Sequence, residues 1–397
     1  MANSCHRPWL TIVGLNEDGL AGLSLASRNA LDAAEFVFGG PRHLALANPG
    51  SRGKPWPVPF DLAPMLEKRG RAVVVLASGD PFWFGAGGSI AQHLDASEWT
   101  AHPAPSTFSL AAARLGWRLE DTVCLGLHAA PFERLVPVLA NEQRIICLVR
   151  DAEAVTALCR WLTSQGWEAS SVTVLTALGG PNERLEHATA AHPASAIGPG
   201  PFAVALVARG NKGLSRASGL YDGLFVSDGQ MTKRPMRALA LSALGPRTGE
   251  HLWDIGAGSG SISVEWSLAG GTATALEQNA TRTQSIRANA ERFGMAHRIV
   301  VVNGSAPEAL AGLPPPNAVF VGGGLTESSF EALWHLIPAG TRLVAHAVSL
   351  ETQGLLSELH AAYAGNLERF EISQVAPLGN MRSWQAARPI VQWATCK

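Results

Sequence analysis

From Trp9 to about Arg209, apolar runs of strand length alternate with longer stretches in which apolar residues recur every three or four positions. The runs 10–13, 72–77, 144–149, 172–176 and 202–208 are predicted strands, and their alternation with helical patterns predicts an α/β architecture. Residues 210–219 are small, polar and basic with no periodic apolar face, which predicts a linker. A second series begins with a helix at 235–244, with Pro235 suited to its first turn and Gly245-Pro246 to its end. Strands are then predicted at 251–255, 273–277, 299–303, 318–321, 342–348, 369–375 and 390–393. Helices at 261–268, 282–293, 329–336 and 352–363 separate the first of them. Seven strands in that order predict an open, doubly wound sheet ending in an antiparallel pair.

At 397 residues the chain exceeds the size at which one core keeps growing, so two domains are expected, at 7–209 and 220–397. Charged residues are 16% and hydrophobic residues 47%, a composition of folded rather than disordered chains. The 31 basic and 32 acidic residues nearly cancel, which argues against nucleic acid as a partner. Cys5, Cys124, Cys147, Cys159 and Cys396 are odd in number and scattered, with no metal-ligand spacing, so free thiols and no metal site are expected. The apolar runs are too short to span a bilayer and no signal-peptide pattern opens the chain. A cytoplasmic protein without a membrane partner is the expectation.

The chemistry concentrates in loops after strands. Asp254-Ile255-Gly256-Ala257-Gly258-Ser259-Gly260-Ser261 turns from a strand into a helix through three glycines, a loop that lets backbone press against a ligand beside free helix amides. Ser261 stands where a dinucleotide fingerprint wants its third glycine, which disfavours NAD. Glu277 ends the next strand and is placed to accept both hydroxyls of a ribose. Together these features read as the nucleoside site of a methyltransferase. Ser305 and Ala306 after the third strand, and Gly322-Gly323-Gly324 after the fourth, fall at the same edge of the predicted sheet. Lys233, Arg234 and Arg237 cluster at a helix start that the macrodipole would rather give to acids, so they are candidates for anchoring a polycarboxylate, with Arg382 and Arg388 as possible additions. In the first half, Ser78-Gly79-Asp80-Pro81, the loop 12–19 and Pro105-Ser106-Thr107 imply a second small-molecule cleft. Leu178 to Arg184 reads as either a further wall or a hairpin turn.

Two resemblances add to this reading. Residues 7–209 resemble a tetrapyrrole methylase domain, through Val13-Gly14, Gly39-Gly40-Pro41-Arg42-His43-Leu44, Ser78-Gly79-Asp80-Pro81, Ala113-Arg114-Leu115-Gly116 and the 178–184 loop. Residues 220–397 resemble the partner fused to it in the decarboxylating precorrin-6Y methyltransferases of cobalamin biosynthesis, through Asp228 to Lys233, Leu252 to Gly260, Ser305 to Leu310, Val319 to Gly324 and Ala347 to Thr352. The resemblance implies a tetrapyrrole methylase fold followed by a Rossmann-like, seven-stranded class I methyltransferase fold. It implies a corrinoid substrate methylated at C-5 by the first domain, and at C-15 with loss of the ring C acetate carboxyl by the second. It also implies two S-adenosyl-L-methionine sites, one formed by Gly79, Asp80, Ser106 and Thr107 and the other by Asp254, Gly256, Gly258, Gly260, Glu277, Ser305 and Ala306. Lys233 and Arg237 are the expected catalytic pair, and a homo-oligomer is expected. His128 and His346 stand at departures from the family pattern and read as core or rim histidines. The alternatives are a methyltransferase of the same folds acting on RNA or protein, and a non-catalytic module that senses the cofactor.

Overall fold

The computed structural model describes residues 8–397 except 195 and 197; Cys5 therefore lies outside the described residues. The chain divides into two compact units, and the division between 212 and 213 falls inside the 210–219 stretch; residues 133–137 are grouped with the second unit.

The first unit contains two five-stranded sheets. One is wholly parallel, in the order β3-β2-β4-β1-β5, from β1 (Leu10–Leu15), β2 (Phe36–Gly39), β3 (Gly53–Pro55), β4 (Val73–Ser78) and β5 (Trp99–His102). β1 and β4 are buried on both faces, as a parallel sheet covered on two sides requires. The other sheet runs β6-β7-β10-β8-β9, from β6 (Thr122–Gly126), β7 (Arg144–Val149), β8 (Ser171–Thr176), β9 (Arg184–Thr189) and β10 (Phe202–Val207). It is antiparallel except for β6 on β7. β2, β3, β5, β6 and β9 escape the sequence pattern because they are three to six residues long and either very short or half exposed. The 178–184 loop is the connection of the antiparallel β8 and β9 pair.

The second unit is a seven-stranded sheet in the order β13-β12-β11-β14-β15-β19-β16. Its strands are β11 (His251–Ile255), β12 (Thr272–Glu277), β13 (Ile299–Asn303), β14 (Ala318–Val321), β15 (Arg342–Ala347) and β16 (Asn366–Phe370), with β17 (Ser373–Leu378) and β18 (Met381–Ala386) forming a separate hairpin before β19 (Ile390–Cys396). β11 to β15 are parallel, and β16 and β19 pair antiparallel. The strand period of two sorts the core: Leu252, Ala275 and Phe320 pack on one face against helices Arg234–Leu244, Ser261–Leu268 and Ala280–Arg292. Trp253, Leu276, Val319 and Val321 pack on the other face, against Glu327–Leu336 and Leu350–Tyr363. The strand expected at 369–375 is two strands. Its apolar alternation slips between Ile372 and Val375, and there the chain leaves the sheet for the exposed hairpin. Among the described residues no helix is long and apolar enough to cross a membrane, and no group of three or more His, Cys, Asp or Glu is placed to hold a metal.

Candidate functional site

At the carboxyl edge of β11, β12, β13 and β14 the second unit opens into a cleft of about 1790 Å³, larger than the roughly 300–1,000 Å³ usual for small-molecule sites. Gly256, Gly258 and Gly260 all adopt left-handed backbone, with φ of 68°, 58° and 72°. A Cβ at Gly258 would come 3.2 Å from the Gln230 carbonyl, and one at Gly260 would lie 2.7 Å from Cγ2 of Ile286. Only glycine satisfies both the turn and the packing there. Gly256 and Gly258 line the cleft; Gly260 does not, and instead ends the loop as N-cap of the helix Ser261–Leu268. Asn289, fully buried, braces this loop by donating to the Ser259 carbonyl at 2.8 Å and pairing with both backbone groups of Val226.

Glu277 is 5% exposed yet lines the cleft, and its carboxylate is aimed by the amides of Gly258 at 2.9 Å and Asn279 at 3.0 Å. Ser305 and Ala306 line the same wall. Asp254 does not: it sits beneath the loop, 1% exposed, with Oδ2 accepting from the amide and hydroxyl of Ser263, and Oδ1 without a partner among the described residues. Burial, with a smaller contribution from the Glu277 charge, pushes its pKa up to about 6. A carboxylate under the floor supports the loop rather than reaching into the cleft.

The cations expected to act together separate. Lys233 and Arg234 line the cleft; Lys233 Nζ donates to the Gly229 carbonyl at 3.1 Å, and the Arg234 guanidinium lies over Tyr221 at 4.2 Å while donating to Gly219. Arg237 is 0% exposed and is absent from the cleft wall. It donates to Glu265 at 2.5 Å, Asp222 at 3.0 Å, the Thr232 carbonyl at 2.6 Å and the Leu220 carbonyl. Glu265 in turn accepts from the amides of Gly219 and Leu220. Its place in the helix, four residues past the cap, turns Arg237 inward, so the expectation that it meets substrate is corrected: it ties the 219–232 strap to the helix Ser261–Leu268. Arg388 lines the cleft, together with Gln374 and Gln385 of the exposed hairpin, whereas Arg382 does not. His346 is buried, bonded to Gln392 at 2.9 Å and edge-on to Phe320, at the cleft wall. Trp393 is core.

The first unit has its own cleft of about 370 Å³, again at carboxyl strand ends. Asp80, Ser106 and Thr107 line it. Gly79, at φ 52°, lies just under its surface, where a Cβ would meet the Pro105 carbonyl at 2.9 Å. Ser106 spends its hydroxyl on capping the helix Thr107–Leu115, accepting from the Ser109 amide at 3.0 Å. His128 is exposed at the rim. Glu17 of the 12–19 loop lines this cleft, as do Arg42 and His43, which carry the resemblance with no role attached, and Trp56 and Phe60, to which nothing in the sequence pointed. The available signal was Pro41, which starts a helix directly after β2 and so fixes Arg42 and His43 at a strand end.

Residues 10–194 match the tetrapyrrole (corrin/porphyrin) methylases, and residues 223–397 match the precorrin methyltransferase domain. A decarboxylating precorrin-6Y C(5,15)-methyltransferase from a Sinorhizobium species is 42% identical over 405 residues, covering 98% of this chain and 97% of the relative. One from Mycobacterium tuberculosis is 37% identical over 397 residues, covering 98% of this chain and all of the relative. The solved C-terminal domain of precorrin-6Y C5,15-methyltransferase from Rhodobacter capsulatus is 50% identical and covers 46% of this chain and 100% of that one, with a TM-score of 0.46. Matched along 98% of its length by the two curated relatives, the chain belongs to the family of decarboxylating precorrin-6Y C(5,15)-methyltransferases.

Proposed function

We propose that the chain methylates a precorrin-6 intermediate at C-5 and C-15 and removes the carboxyl of the ring C acetate, giving precorrin-8X, with the first unit acting at C-5 and the second at C-15 and on the acetate. The observation that carries this reading is the presence of two separate clefts, one per unit, each at a carboxyl strand edge, in a chain matched along its length to enzymes of that name.

S-adenosylmethionine is the methyl donor of this family, and when bound it supplies an electrophilic methyl group on a sulfonium. The second cleft fits it. Gly256 and Gly258, both in left-handed backbone, make a cradle at its wall, Gly260 ends the loop behind them, and Glu277 presents a carboxylate to a ribose. In the first cleft Asp80 and Thr107, above Gly79, are the corresponding residues. The chain's work at a meso carbon is then to bind, align and exclude water. For decarboxylation, Lys233, Arg234 and Arg388 would hold the substrate's carboxylates by charge-assisted bonds while the electron pair left by carbon dioxide flows into the conjugated ring. The size of the second cleft leaves room for a macrocycle beside the nucleoside. The reading includes a cytoplasmic location and a homo-oligomer that sedimentation would detect, and no nucleic-acid or membrane partner.

The test incubates the full chain with S-adenosylmethionine and reduced precorrin-6, metal-free and cobalt-loaded, and follows product mass. Two methyl gains with one carbon dioxide lost are expected; no change despite measured cofactor binding sends the search to another acceptor. Lys233→Met is expected to weaken substrate binding or decarboxylation while sparing cofactor affinity. Unchanged turnover removes Lys233 from the site.

A further inference from the structure

The first cleft holds a polar cluster that the reaction as described leaves idle. Arg42 and His43 open the helix Pro41–Ala47 and face Ser78 at the end of β4. Arg42 Nη2 lies 2.7 Å from Ser78 Oγ and 3.0 Å from His43 Nε2, and His43 Nε2 lies 2.8 Å from Ser78 Oγ. A guanidinium can only donate, so Nε2 beside it is an acceptor and the ring proton sits on Nδ1. Burial, and then the Arg42 charge, push the His43 pKa down to about 4, which keeps the ring neutral at pH 7. The Glu17 carboxylate pairs with Arg42 on its other side, and Ser78 is exposed on the cleft surface.

Methylating a carbon that carries hydrogen has a proton to dispose of. The carbon's π pair forms the new C–CH₃ bond, the donor's C–S bond breaks with its pair on sulfur, and the C–H bond must then break to restore conjugation. Trp56, Phe60 and Trp83 line the cleft together with Ser78, so a macrocycle seated against them would shield that hydroxyl from bulk water and leave it the nearest acceptor of the proton. We propose that Ser78 receives it while passing its own hydroxyl proton to His43 Nε2, so that Ser78 is a catalytic residue and His43 acts through it as the terminal base of a relay. The imidazolium that forms lies beside Arg42, and the Glu17 carboxylate balances one of the two positive charges. This rests on the reading that the first unit methylates C-5.

The experiment uses the full chain with the precorrin-6 substrate, counting C-5 and C-15 methyl gains separately. His43→Ala is expected to slow C-5 transfer about 10²–10⁴-fold, to leave calorimetric cofactor affinity unchanged, and to regain rate saturably with added imidazole. Ser78→Ala, at an exposed position, is expected to be slowed without imidazole rescue and to show an isotope effect with deuterium at C-5. A wild-type chain that makes no C-5 product overturns the underlying reading. A wild-type chain that makes it, with both variants at wild-type rate, overturns the relay alone. For every other combination, including a His43→Ala chain that does not fold, the isotope effect in Ser78→Ala decides: its presence supports the relay and its absence overturns it.

Discussion

Replacing Arg237 by Met tests whether this residue is a fastening of the second unit or a contact of the substrate. The guanidinium is 0% exposed and Glu265 is 6% exposed. Removing the arginine leaves a buried carboxylate with only the Gly219 and Leu220 amides for partners, and frees the Thr232 and Leu220 carbonyls. Breaking a buried pair from one side costs about 3–5 kcal/mol. At about 1.4 kcal/mol per factor of ten, the globally protected amides of strand β11 should exchange roughly 10²- to 5 × 10³-fold faster. Hydrogen exchange by mass spectrometry on the full chain reads this directly, with β4 of the other unit as reference. The double variant Arg237→Met, Glu265→Leu should recover part of the protection, because it removes the orphaned charge but not the orphaned backbone groups. Wild-type exchange in the single variant, combined with lost substrate affinity, would refute the buried-fastening argument and return Arg237 to the substrate.

Gly260→Ala forces a side chain into left-handed backbone at a cost of about 1–2 kcal/mol and drives its Cβ to within 2.7 Å of Ile286; calorimetry with S-adenosylmethionine should show one of two sites weakened about tenfold or more, and two unaltered sites would count against the cradle. Glu277→Gln keeps the shape but loses a charged acceptor that receives two amides, so affinity at that site should fall roughly 10- to 150-fold, from about 1.5–3 kcal/mol for a bond to a charged group. Asp254 has a folded pKa of about 6 against an ordinary 3.8, so the folded state takes up a proton that the unfolded state does not bind until lower pH. Its unfavourable contribution is full at pH 7, shrinks as pH falls through about 6, and is gone near 4. The stability advantage of Asp254→Asn over wild type, measured by urea unfolding of the second unit, should therefore be larger at pH 7 than at pH 5, and a difference constant with pH would place the cause elsewhere.

What the sequence could reveal followed the range over which its signals act. A strand such as His251–Ile255 is written in its own residues, and the glycines after it carry a backbone requirement of their own, so the succession of elements from 251 to 347 and the loops after its strands were legible. Edge strands were not: Gly53–Pro55 and Trp99–His102 owe their state to neighbours, being too short to show a period. The charged positions divided for the same reason. Lys233, Arg234 and Arg237 look alike as a run of cations before a helix, but Lys233 is the cap with extended backbone, whereas Arg237 lies a full turn further in, where the helix is packed against its neighbours. Arg237 falls on the face occupied by Glu265, a residue 28 positions away whose own inward direction is set by a wholly buried helix. His43 and Ser78 make the converse case. They are 35 positions apart with nothing between them in the pattern, and only the parallel pairing of β2 with β4 brings the helix after one strand against the end of the other. The residues that the proposed relay joins are thus ones a linear reading cannot pair, whereas the glycine loop at the sheet edge is written in consecutive residues.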